Sequence, residues 1–113
     1  MNHALQLALD RAETIRTRYR ACLLKLGKSP DYHIYDLTYA FLATARPTVY
    51  AKALAKLKHF YDDLDVEDKP IFVNEVLEKN RHYPFWFMGE GYRRNEFETR
   101  REELLLRLPR GVL

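Results

Sequence analysis

The stretch from Pro47 to Leu64 reads PTVYAKALAKLKHFYDDL, and its periodicity decides the fold class. Tyr50, Ala53, Leu54, Leu57, Phe60, Tyr61 and Leu64 recur at steps of three and four, while Lys52, Lys56, His59 and Asp63 fall on another face. A strand would alternate by twos; a spacing near 3.6 puts the apolar set on one stripe of a helix. Pro47 suits only the first turn of such a helix, because its ring fixes φ and it donates no hydrogen bond.

The same reading extends upstream. Arg46-Pro47 ends an earlier segment, since the residue before proline is pushed out of the α region. That segment is predicted to be a helix from Pro30 to about Ala45, opened by Ser29-Pro30-Asp31 and burying Ile34, Leu37, Phe41 and Leu42. Before it, Leu5, Ala8, Ala12, Ile15, Tyr19, Cys22 and Leu26 trace a first helix from about Asn2 to Leu26, and Gly27 supplies a left-handed stop.

Downstream, Phe72, Val73, Val76 and Leu77 predict a fourth helix over roughly Lys69–Arg81. Asn95, with Glu98 three residues on, opens a fifth in capping-box fashion; it carries Phe97, Leu104, Leu105 and Leu108 and stops at Pro109. Residues 82–91 resist this reading. Tyr83-Pro84-Phe85-Trp86-Phe87-Met88 suits an extended segment, and Gly89-Glu90-Gly91 a turn returning through Tyr92. The expectation is an all-α, single-domain bundle of four to five helices spanning residues 1–113, with a short aromatic non-helical segment near 82–91.

Composition narrows the function. With 47% apolar and 31% charged residues, the chain can build a core and is not a disordered tail. One cysteine leaves no internal disulfide and fits a reducing, cytoplasmic setting. Met1–Asp10 lacks the basic-then-apolar pattern of a signal peptide, and no apolar run has the ~18–20 residues of a membrane span. Charge divides unevenly. Residues 1–60 hold ten Lys/Arg against four Asp/Glu, and residues 61–113 nine against twelve, so a surplus of +6 faces a deficit of −3.

Catalytic and metal motifs fail on inspection. There is no phosphate loop and no Gly-x-Ser-x-Gly elbow, and Cys22 falls on the apolar seam, where a thiol packs as a small hydrophobe. His59 with Asp62 or Asp63, and Glu75 and Glu78 with His82, read as solvated helix faces. A calcium loop begun at Asp63 would need glycine where Asp68 stands and glutamate where Asn74 stands. The acidic run Asp62–Asp68 then serves the positive end of the fourth helix, and the Arg93/Arg100/Arg107 stripe is answered by Glu96, Glu98 and Glu103 on its own helix.

The expectation is a non-enzymatic protein without cofactor or metal that binds another protein or a second copy of itself and does not enter a membrane. Its contact residues would be Tyr83, Phe85, Trp86, Phe87 and Met88, because aromatic residues and Met concentrate at interface centres. The same run could instead plug the end of the bundle. The rival expectation is an accessory nucleic-acid binder using Arg11, Arg16, Arg18, Arg20 and Lys25 of the first helix with Lys52 and Lys56 of the third.

Overall fold

The seam from Tyr50 onward forms helix α3 (Thr48–Asp63) in the computed structural model, which describes residues 3–78 and 85–111. Ala53, Leu54, Leu57 and Tyr61 are buried along it, with Ala51 and the aliphatic stem of Lys58 beside them. Helix α1 (His3–Lys25) buries the predicted Ala8, Ala12, Ile15, Tyr19 and Cys22. It ends in a Schellman motif: Lys28 N donates to Leu23 O at 2.9 Å and Gly27 N to Leu24 O at 3.1 Å. The motif turns on Gly27 at φ +77°, a conformation in which a Cβ would be strained.

The second predicted helix is not continuous. The chain makes a serine turn at Ser29, a 3₁₀ turn over Ile34–Asp36, an extended pair at Leu37 and Thr38, and only then helix α2 (Tyr39–Thr44). Side-chain caps explain the break. His33 Nδ1 accepts from Tyr35 N at 3.0 Å, and Thr38 Oγ1 accepts from Phe41 N at 3.1 Å, so each offers the backbone a local partner in place of an uninterrupted ladder. Ile34, Leu37 and Leu42 are buried all the same, and Phe41 is half-buried. A cis Arg46–Pro47 bond leads into α3.

Helix α4 (Asp68–Ile71) runs directly into a π-helical segment, Phe72–Leu77, closed by Glu78 N donating to Val73 O at 2.8 Å. The predicted seam Phe72, Val73, Val76 and Leu77 is buried on it. Residues 85–91 are not extended: Trp86–Gly89 forms a single α-helical turn, α5, and no strand occurs among the described residues. The last helix, α6 (Arg94–Leu106), begins one residue before Asn95. Its cap is Arg93, which makes no side-chain capping bond, and Glu98 pairs with Arg94 at 3.3 Å, so the expected capping box does not form.

The fold is all-α, with helical conformation in 73% of the described residues. Helix α1 is the hub, packing against α3, α6 and the π segment; α2 and the 3₁₀ turn flank α3, while α4 and α5 flank α6. One continuous core joins Ile15, Leu23, Ile34, Leu54, Phe72 and Leu104. Among the described residues no helix is long and apolar enough to cross a membrane.

Candidate functional site

The aromatic run separates into an inner and an outer half. Phe87 is buried and stacks on Phe97 of α6, ring centroids 4.0 Å apart and planes within 7°. Half-buried Trp86 meets Phe97 edge-on at 5.5 Å and Tyr92 at 6.0 Å. Its indole Nε1 donates to Glu75 Oε2 at 3.3 Å, and Arg101 Nε donates to the other oxygen of that carboxylate at 2.7 Å. A second Schellman motif follows at Gly91, φ +86°, where Tyr92 N donates to Phe87 O at 3.2 Å. It turns the chain so that Tyr92 joins the ring cluster and donates its hydroxyl proton to Glu67 O. Burial pushes the Tyr92 phenol up, an effect that nearby Arg100 opposes.

Phe85, whose ring meets that of Phe87 edge-on at 6.3 Å, and Met88 are 60% and 66% exposed. Two large apolar side chains are therefore held in water by a backbone whose neighbouring rings are locked. Tyr83, the remaining residue of the expected contact set, lies outside the described residues, as do Pro84 and His82.

A second cluster sits where α2 and the 3₁₀ turn meet α3. The Lys58 ammonium donates to Tyr35 O at 3.2 Å, pairs with Asp62 at 3.5 Å and lies within 5.7–6.0 Å of the Tyr35, Tyr39 and Tyr61 rings. Tyr39 donates to Asp62 Oδ2 at 2.5 Å; its oxygen is 3.4 Å from His59 Nδ1, and its ring leans on the His59 imidazole at 4.7 Å. Desolvation and the bond to Asp62 push the Tyr39 phenol up to about 12. Lys58 and Asp62 are thus engaged with each other and with tyrosines, and His59 with Tyr39, tying α2 to α3. Among the described residues no three of His, Cys, Asp and Glu are gathered to hold a metal ion. Cys22 is buried in the core, and burial raises its thiol pKa.

The basic residues divide by element. Arg16 donates to Glu75 O at 3.3 Å. Lys25 lies 5.9 Å from the Tyr50 ring, and Lys56 donates to Arg110 O at 2.7 Å. Arg11 is half-buried, whereas Arg18, Arg20 and Lys52 are exposed. On α6 the expected internal pairing gives way to bonds between elements. Buried Asp68 holds Arg100 at 3.1 Å and Arg107 at 3.5 Å, leaving Glu96 at 3.6 Å as the partner of Arg100 within the helix. These links, and Glu75 with Trp86 and Arg101, join residues 11 to 39 positions apart. Spacing along one helix cannot signal them.

Comparison with known proteins finds no matching family model, no matching curated protein and no matching solved structure.

Proposed function

We propose that this is a non-catalytic, cytoplasmic protein that works by binding another protein through the α5 turn. One observation carries the reading: Phe85 and Met88 are presented to water on a turn whose other two large side chains, Trp86 and Phe87, are clamped by Phe97, Tyr92 and Glu75. Exposed apolar anchors on a fixed backbone lose little conformational entropy on docking, which lowers one of the costs of association. Aromatic residues and Met are also the residue types that interface centres favour.

The test is a photo-activatable phenylalanine analogue placed at Phe85 and, as a control, at Val66, another strongly exposed apolar residue outside the turn. Irradiation in host cells should give a discrete protein adduct from position 85 that is absent from position 66 and is lost when Met88→Ser is added. Equal adducts from both positions, or none from position 85, would remove the docking role. An adduct of doubled mass carrying only this chain would identify a second copy as the partner.

A further inference from the structure

Two sulfur-bearing side chains occur among the described residues, and the fold treats them oppositely. Cys22 is 2% exposed in the core, and burial raises its thiol pKa, so the thiolate that reacts with oxidants is scarce. Met88 stands in water on the α5 turn. Its backbone is fixed, its N donating to Phe85 O at 3.1 Å and its O accepting from Gly91 N at 3.3 Å. Its side chain belongs neither to the core nor to the partly buried residues packed on it. The next position, Gly89, is open: beyond its own turn, no atom comes within 4 Å of where a side chain would begin. A small oxidant in solution therefore meets the Met88 sulfur and not the Cys22 sulfur.

A thioether gives up two electrons to hydrogen peroxide. The sulfur bonds to one oxygen as the O–O bond breaks, and the proton on that oxygen passes to the departing hydroxide, which leaves as water; methionine sulfoxide remains. The product is polar and accepts hydrogen bonds, where the thioether was a soft apolar group. In the free chain the added oxygen is solvated, so folding loses nothing. Against a partner it would be buried on apolar surface, three residues from Phe85 on the same turn.

From these observations we infer that Met88 is a redox modification site: oxidation of its thioether by a peroxide switches off docking through the α5 turn while the fold stays intact, and reduction of the sulfoxide restores it. The inference rests on the docking role proposed for that turn. The rest of the turn fits this division. The electron-rich indole of Trp86 is half-buried with its N–H on Glu75, and Phe87 is covered by Phe97, so the clamp that fixes the backbone is withdrawn from the oxidant that reaches Met88.

The experiment uses the purified full chain carrying the photo-activatable analogue at Phe85. One portion is treated with hydrogen peroxide, catalase removes the excess, and treated and untreated portions are irradiated in host extract. Peptide mass mapping should find one added oxygen on Met88 and none on Cys22, with circular dichroism unchanged. The adduct should fall by about tenfold or more, because a sulfoxide buried without a hydrogen bond is penalised on that scale. Methionine sulfoxide reductase should bring the adduct back. Met88→Leu, which keeps an apolar side chain and has no sulfur, should give the adduct before and after peroxide. An adduct that survives full oxidation of Met88, an equal loss in Met88→Leu, oxygen on Cys22 ahead of Met88, or loss of helix on oxidation would overturn the inference and leave the docking role standing. No adduct from the untreated chain would instead remove the docking role, and the switch with it.

Discussion

At the scale of single residues, tyrosines carry the most specific consequence. Tyr39 ionises near 12 instead of 10.0, and burial raises Tyr19, Tyr61 and Tyr92 as well. The folded chain therefore keeps phenol protons that the unfolded chain gives up. That stabilisation is whole below about pH 10 and is lost as the pH climbs through the folded values. Absorbance of tyrosinate near 295 nm should go on rising well above pH 10, and the last part of the rise should coincide with loss of helix. A single phase centred near 10, with helix intact, would contradict the raised values. Tyr39→Phe keeps the ring on His59 but removes the bond to Asp62, and should cost about 1 kcal/mol at neutral pH. On the aromatic turn, Phe87→Ala should cost about 3–5 kcal/mol through lost transfer energy and the cavity beside Phe97. Phe85→Ala, which removes an exposed ring, should change the melting temperature little. Similar losses from both would mean that Phe85 also packs inward.

At the scale of elements, the helices legible in the sequence are those whose apolar period is strict and whose stops are chemical. The α1 seam with Gly27, and the α3 seam after Pro47, are examples. What could not be read depends on side chains capping the backbone or on contacts distant in sequence. His33 and Thr38 carry no signal that distinguishes a cap from a polar position on a helix, so the segment from Pro30 to Ala45 reads as continuous. The aromatic run reads as an extended segment because its residues are rich in β propensity. Its helical turn is held by Phe97, Tyr92 and Glu75, all supplied by other parts of the chain. Of the candidate site, the residues are therefore legible and their division into inward and outward halves is not. The joint between α4 and α6 is equally hidden, and it is testable. Asp68, buried between Arg100 and Arg107, should cost about 1.5–3 kcal/mol when replaced by Ala, because charge-assisted bonds are lost at once to two arginines. Glu96→Ala, which removes a more exposed partner of Arg100, should cost well under that. Equal effects would show that Asp68 does not bridge the two helices.

At the scale of the whole molecule, packing and charge are distributed differently. Helix α1 touches α3, α6 and the π segment, so no long helix can leave without opening the core, and thermal unfolding followed at 222 nm should be a single cooperative step. Charge has no such hub. Among the described residues, the second half of the chain neutralises cations in pairs such as Asp68–Arg100 and Glu75–Arg101, while the first half leaves Arg11, Arg20, Lys25, Arg46, Lys52 and Lys56 outside any ion pair. Mutual repulsion among those cations opposes compaction, and salt relieves it. Raising NaCl from about 10 to about 150 mM shortens the Debye length from roughly 30 to roughly 8 Å, enough to screen exposed charges from one another. The ion pairs of the second half act the other way, but Asp68 and Glu75 are largely withdrawn from water, and pairs so placed are screened much less. Relief of repulsion should therefore win, and the melting temperature should rise over that range. In K25Q/K52Q/K56Q the rise should shrink, because three of the repelling charges are gone. A melting temperature that falls with salt in the parent chain would mean that the ion pairs dominate its electrostatics and that the cations of the first half do not act on one another.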